Sequence, residues 1–244
     1  SDVVPGNPDF AGIHSRVSPE VFQGVWRRVG ENTTAYRTYP RLIGETGGKN
    51  FVIVHPSADI AAVGAAIVRG GFEFQGQKCS AASRVYVPDS RWPQLRDRLV
   101  DEIQSIAMGD ISDFRNFMGA VIDARAFEKI SGYIQAAEKS SDAEILAGGQ
   151  TDDSEGYFIR PVLLRAKKPD YRTMTEEIFG PVVSVYVYPE KDWSPTLELI
   201  NRTSPYALTG AVFANDRKAI DEVRATLRFA AGHFYIKHKP TGAV

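Results

Sequence analysis

Apolar residues recur along the chain with two periods, and the switching between them lays out a series of elements. Behind Ser18 and Pro19, the residues Val21, Phe22, Val25, Trp26 and Val29 fall at helical spacing. They predict an amphipathic helix over residues 19–36 with Ser18 as its cap. Ile60, Val63, Ala66 and Ile67 predict a second helix over 58–72, ending at Gly70-Gly71. Trp92, Leu95, Leu99, Ile103 and Ile106 mark a third, closed by Gly109, and Phe127, Ile130, Ile134 and Ala137 a fourth over 124–140. Shorter helical patterns cover 196–202 and 217–229. Between them lie short β-branched runs that read as strands: 10–14, 41–46, 51–55, 84–88, 144–147, 157–165, 182–188, 210–214 and 232–237. The stretch 110–121 has no period. Strands alternating with helices predict α/β layering with a largely parallel sheet. Trp92 and Trp193 read as exposed residues packing at element ends, and Tyr186 and Tyr188 as packing on one sheet face.

Composition narrows the classes. A length of 244 residues suits one domain with an appendage, and 43% hydrophobic residues leave ample material for a core. The 29 basic and 30 acidic side chains nearly cancel, so nothing in the charge points to nucleic acid or an anionic membrane. A single cysteine excludes an internal disulfide and fits a reducing compartment. No apolar run approaches a membrane span, and no basic-then-apolar leader opens the chain. These features predict a soluble intracellular protein. The four histidines, at 14, 55, 233 and 238, have no metal-ligand spacing, so no metal is expected.

Three stretches carry candidate chemistry. In Gly76-Gln77-Lys78-Cys79-Ser80, the lone thiol follows a turn and precedes a strand, a place suited to a nucleophile. A buried, inert cysteine is the plainer alternative. Glu45, in Gly44-Glu45-Thr46-Gly47-Gly48-Lys49, stands at a strand end before two glycines and can project into a cleft; the alternative is a solvated loop carboxylate. Glu176-Glu177-Ile178-Phe179-Gly180-Pro181 offers carboxylates able to accept hydrogen bonds from a diol, or else a turn with Phe179 in the core.

Taken together and in this order, the three stretches resemble the aldehyde dehydrogenase superfamily over nearly the whole chain. The runs 41–51, 72–81 and 184–189 and the ending Lys239-Pro240-Thr241-Gly242-Ala243-Val244 are similar to its Δ1-pyrroline-5-carboxylate dehydrogenase branch. The resemblance implies a three-layer α/β/α catalytic domain. It implies Cys79 as nucleophile and Glu45 as general base. Ser80, Gly242 and Ala243 would hold the substrate's amino-acid end, and Glu177, Phe179 and Lys78 would contact the cofactor, NAD. The implied reaction is oxidation of L-glutamate γ-semialdehyde to L-glutamate in proline catabolism, in bacterial cytoplasm or the mitochondrial matrix. The small aldehyde is the expected partner, with neither nucleic acid nor membrane, and the full-length enzyme is expected to be a homo-oligomer.

The same comparison marks departures. Residues 1–48 correspond to the last strand–helix–strand unit of the dinucleotide-binding domain and 49–244 to the thiol domain, shortened at its end. Ser15-Arg16-Val17-Ser18 stands where the family carries a glycine-containing turn. A fragment with little activity of its own is the resulting expectation. Two rivals share the pattern: a related semialdehyde or acyl-phosphate reductase, against which Glu45 speaks, and a folded but catalytically silent remnant.

Overall fold

The computed structural model describes residues 5–241. They form two compact units, parted between Gly47 and Gly48. In the first, strand β1 (Gly12–Arg16) runs parallel to β2 (Arg41–Glu45), with helix α1 (Pro19–Glu31) between them in sequence. Ser18 caps α1, its hydroxyl accepting from the Val21 N–H at 3.4 Å, and Pro19 occupies the first turn, where no N–H is missed. The helix stops at Glu31, short of the expected residue 36, and Phe22 lies over Gly44 of β2.

The second unit is a seven-stranded sheet covered on both faces. In chain order its elements are β3 (Phe51–Val54), α2 (Ile60–Phe72), β4 (Arg84–Pro88), α3 (Trp92–Gln104), α4 (Ala124–Glu138), β5 (Ala143–Ala147), β6 (Thr151–Asp152) and β7 (Phe158–Ile159). They continue with β8 (Val162–Ala166), α5 (Arg172–Thr175), β9 (Val182–Tyr188), α6 (Trp193–Thr203), β10 (Thr209–Phe213), α7 (Arg217–Thr226) and β11 (His233–Ile236). The sheet order is β11-β10-β3-β4-β9-β8-β5, parallel throughout except for β5 at one edge, while β6 and β7 form a separate antiparallel pair.

Strand alternation divides the core into two layers. Val52, Val54, Val85, Val87, Val183 and Val185 face α2 and α3, meeting Ile60, Val63, Ile67, Leu95, Leu99 and Ile103. Phe51, Ile53, Tyr86, Val182, Tyr188 and Val212 face the other way, with Ile130 and Ile134 of α4, Leu197 and Ile200 of α6 and Val223 of α7. Helices on both faces of a mainly parallel sheet give the three-layer α/β/α arrangement that the sequence predicts.

Some boundaries keep to the pattern and others differ. Helix α2 ends at Phe72 as predicted, with Gly70-Gly71 in its buried last turn, where the missing side chain of Gly71 makes room for Val183. The run 157–165 is broken at Pro161, which has no N–H for a ladder, into β7 and β8. Trp92 is buried against the α2–α3 layer and not exposed. Tyr186 and Tyr188 do share one face, and Tyr188 donates its hydroxyl to the Val54 carbonyl at 2.6 Å.

Candidate active site

Four neighbouring parallel strands, β10, β3, β4 and β9, have the segments leading into them on one edge of the sheet. Those segments are Tyr206-Ala207-Leu208, Gly48-Lys49-Asn50, Gln77 to Ser83 and Glu177 to Pro181. Topology alone therefore gathers the cysteine stretch and the carboxylate–phenylalanine stretch on the amino edge of the sheet.

The approach to Cys79 is a tight left-handed turn. Phe74, Gln75 and Gly76 have φ of 54°, 58° and 63°. Two of the three carry side chains, a conformation that costs roughly 1 kcal/mol or more per residue. Side-chain contacts secure it. Gln75 donates to the Ala120 carbonyl (3.1 Å) and accepts from the Gly119 N–H (3.2 Å), and Gln77 accepts from the Ile122 N–H (3.1 Å). Gly76 has no substitute here, since a β-carbon would lie 2.5 Å from the Gly180 carbonyl oxygen.

Cys79 then occupies the corner of a four-residue turn closed by the Ala81 N–H donating to the Lys78 carbonyl at 3.0 Å. The thiol is exposed, which removes the buried-cysteine alternative. Beneath the turn lies Asn50, 3% exposed. Its Nδ2 donates to the carbonyls of Cys79 and Ala81, both at 2.8 Å, and its Oδ1 accepts from the N–H groups of Leu208 (3.0 Å) and Thr209 (2.9 Å). Thr209 adds a hydroxyl bond to the Ser80 carbonyl at 3.2 Å. Pattern reading passed over Asn50 and Thr209. The available signal was a polar residue heading each of two apolar strands, Asn50 before Phe51–Val54 and Thr209 opening β10.

Next to Asn50, the Lys49 ammonium is buried and donates to the Ser83 hydroxyl at 2.5 Å. Burial, then the neighbouring Arg84 guanidinium, pushes its pKa down from 10.5 to about 7, against the pull of Glu177. Arg84 is itself buried and satisfied, donating to the Lys49 carbonyl (2.9 Å), the Tyr86 hydroxyl (3.0 Å) and the Ile200 carbonyl (3.2 Å).

The carboxylate–phenylalanine turn stands on the same edge. Glu177 accepts the Gly48 N–H at 2.9 Å through one oxygen, which fixes the carboxylate plane and leaves the other oxygen for a ligand hydroxyl. Phe179 is held at φ 61°, which turns the ring outward, so it is 41% exposed and does not join the core. With Phe74, Gln77, Ile122 and Lys129 it lines a cavity of about 400 Å³. A carboxylate for a diol beside an exposed aromatic face suits a ribose carrying a flat ring. Glu176 faces elsewhere, receiving the Tyr133 hydroxyl (2.6 Å) and Arg172 (3.0 Å); the Tyr133 bond first, then Arg172, holds it below the usual carboxylate range against burial.

Lys78 places its ammonium 3.3 Å from Glu73, which also receives Lys239 (2.8 Å) and Arg69. Burial raises the Glu73 carboxyl, but the bonds from Lys239 and Arg69 outweigh it and leave the group below its ordinary value. Lys78 is thus tied to the start of the turn rather than left extended. Ser80 sits half-buried at the second corner beside Cys79. Glu45 ends β2 in the first unit, exposed, with its carbonyl accepting the Val17 N–H at 3.1 Å. Gly242 and Ala243 lie outside the described residues. Among the described residues, no three His, Cys, Asp or Glu side chains gather in a metal-holding group, and no helix is long and apolar enough to cross a membrane.

Comparison with known proteins settles the family. The profile described as the aldehyde dehydrogenase family matches residues 8–244. The chain belongs to that family. It is 47% identical to the mitochondrial Δ1-pyrroline-5-carboxylate dehydrogenase of Danio rerio, aligning over 100% of this chain and 44% of the relative. To the human mitochondrial protein of the same name it is 47% identical, over 100% of this chain and 43% of the relative. Among solved structures, the Δ-pyrroline-5-carboxylate dehydrogenase of Mycobacterium tuberculosis bound with NAD superposes with a TM-score of 0.93 at 46% identity, covering 100% of this chain and 44% of that one. The Thermus enzyme with bound NAD gives 0.88 at 30% identity, over 98% of this chain and 45% of that one. The chain therefore spans less than half the length of the relatives it matches.

Proposed function

We propose that this chain forms the thiol-bearing part of a dehydrogenase that oxidises L-glutamate γ-semialdehyde to L-glutamate with NAD, a step of proline catabolism. The observation that carries this is the exposed Cys79 at the corner of a braced turn, on the same sheet edge as Glu177 and Phe179. The similarity to Δ1-pyrroline-5-carboxylate dehydrogenases supports the substrate, and the NAD named for the Mycobacterium tuberculosis and Thermus structures supports the cofactor. Relatives named as mitochondrial support a matrix setting for a eukaryotic form.

In this reading the Cys79 sulfur adds to the aldehyde carbon, and the carbonyl oxygen takes up the negative charge of the tetrahedral adduct. The Cys79 N–H, which has no acceptor among the described residues, is placed to donate to it. NAD, when bound, supplies the acceptor for the hydride that leaves this carbon as the C=O bond re-forms. Glu177 and Phe179 are the residues that would hold its ribose and ring. The product is a Cys79 thioester. Glu45 takes a proton from water, the oxygen attacks the thioester carbon, and the C–S bond breaks to release glutamate and the thiolate. Ser80, Gly242 and Ala243 are proposed to receive the amino-acid end of the substrate.

The test follows NADH formation from glutamate semialdehyde by the whole dehydrogenase of which this chain forms the thiol-bearing part, while mass spectrometry watches Cys79. Cys79→Ala is expected to abolish NADH formation. Glu45→Gln is expected to leave the first NADH equivalent intact and let the thioester accumulate. NADH formation that survives in Cys79→Ala would end this reading.

A further inference from the structure

Glu73 closes α2 and opens the left-handed turn that leads to Cys79, and cations from three parts of the chain meet on its carboxylate. Its N–H donates to the Arg69 carbonyl, and Arg69 returns a guanidinium bond to Oε1, so backbone and side chain are both fixed to the last turn of α2. The other oxygen, Oε2, is shared. Lys78, the residue before Cys79, reaches it at 3.3 Å, and Lys239, from the segment after β11, at 2.8 Å. The Glu73 side chain is only 14% exposed, so salt and solvent screen these charges little.

The Lys239 segment is also seated by packing. Gly70 lies against it: a β-carbon there would come 3.1 Å from Pro240 Cδ and 3.6 Å from the β-carbons of Lys239 and Ala82. The Ala82 N–H donates to the Gly70 carbonyl at 2.8 Å. The chain just past the cysteine turn and the chain just past β11 thus meet on the same turn of α2. Thr241, the next residue of that second segment, is buried.

We propose that Glu73 is a positioning residue for substrate discrimination. It ties the cysteine turn to Lys239-Pro240-Thr241, and so fixes the span between the Cys79 sulfur and the place where the far end of the aldehyde is held. One negative charge serves three positive ones there. Without it Lys78 and Lys239 repel at short range, and the segment keeps only its packing on Gly70. A glutamine of the same shape offers an acceptor oxygen but no charge, and turns an N–H toward one of the cations. The inference rests on the proposed function, in which Gly242 and Ala243, next in the chain after Thr241, receive the amino-acid end.

The experiment uses the whole dehydrogenase and compares L-glutamate γ-semialdehyde with butanal, the same aldehyde chain without the amino and carboxylate groups. Butanal needs Cys79 but nothing at the far end, so the ratio of the two kcat/KM values isolates the span. Glu73→Gln is expected to lower that ratio at least about tenfold, since a misplacement of about 1 Å can cost on the order of 100-fold. The loss is expected mainly in KM for the semialdehyde. Lys239→Met is expected to shift the ratio the same way, and Lys239→Arg, which keeps the charge, to restore it. The double variant Glu73→Gln/Lys239→Met is expected to be no worse than Glu73→Gln alone, because both changes break one link; additive losses would overturn the proposal. A merely structural role slows both aldehydes alike. Should Glu73→Gln fail to fold, the two Lys239 variants carry the comparison. An unchanged ratio in the folded variants overturns the proposal and leaves the proposed function standing. A wild-type enzyme with no preference for the semialdehyde over butanal overturns the proposed substrate, and the proposal with it.

Discussion

A lysine with one hydrogen-bond partner and no exposure is costly to charge. Desolvation pushes Lys49 from 10.5 to about 7, so the folded state holds its proton less tightly than the unfolded state does. Between those values the unfolded chain binds more protons, and stability must rise with pH across that window. The shift corresponds to on the order of 5 kcal/mol, at about 1.4 kcal/mol per pKa unit. Lys49→Met removes the charge while filling much of the volume. Denaturation in urea across the range from about pH 7 to about pH 10 is expected to show a variant whose stability relative to wild type falls as the pH rises. A constant difference would mean that Lys49 is not the titrating group. Such residues mark the limit of what the chain reveals by pattern. Cys79 and Glu177 stand out because their chemistry and spacing are unusual. Lys49, Asn50 and Arg84 look like ordinary polar residues, and only the fold shows that all three are buried.

At the scale of elements, close approach decides more than propensity. Gly71 in α2 has ordinary helical space in sequence terms, and alanine there would gain about 1 kcal/mol of helix propensity. In the structure the added β-carbon meets Val183 of β9, and the helix cannot retreat because Ala82 donates to the Gly70 carbonyl at 2.8 Å. Overpacking costs about 1–3 kcal/mol, so the clash outweighs the propensity. Gly71→Ala is expected to lower stability by about 1–2 kcal/mol in urea denaturation, and a stabilised variant would show that the β9 face yields. The two glycines mark the end of α2 at Phe72, as the pattern predicts, and they also let the helix lie close on a strand. The strands were easier to see. Val182–Tyr188 keeps its predicted limits because β-branched alternation is strong, while the run around Pro161 hid a break that only the ladder reveals.

Across the whole second unit, the two edges of the sheet do different work. Open α/β sheets commonly bind ligands beyond the carboxyl ends of their strands. Here the candidate chemistry lies on the amino edge, and the carboxyl edge carries a structural cluster. The Ser57 hydroxyl accepts from the Asn215 and Asp216 N–H groups, both at 2.9 Å, and pairs with His55 Nδ1 at 2.8 Å, which also receives the Ser57 N–H at 3.2 Å. Trp193 meets the imidazole edge-on at 4.7 Å. Burial first holds His55 below its ordinary 6.5, against Asp216, Glu190 and Glu222, and a neutral ring keeps Nδ1 as an acceptor. The stability it contributes is present above pH 6.5 and is lost as the pH falls toward the depressed folded value. Ser57→Ala orphans two amides and is expected to cost about 2 kcal/mol in urea denaturation. Because the sites lie on opposite edges, the alkylation rate of Cys79 should not change; a parallel loss of thiol reactivity would mean that the edges are coupled.

The amino edge also gathers helix ends around the thiol. In a parallel α/β layer the helices return against the strands, so α2, α6 and α7 finish on the edge where Cys79 stands. Helices present unsatisfied carbonyls and partial negative charge at that end, and anions elsewhere are commonly held at the opposite, N-terminal end. Helix α4, which leads into the antiparallel β5, instead opens on this edge, and its first residues line the cavity with Gln77 and Phe179, so helix ends of both signs stand there. The left-handed residues before the cysteine and the buried asparagine beneath it fix the orientation of the turn within that mixed field.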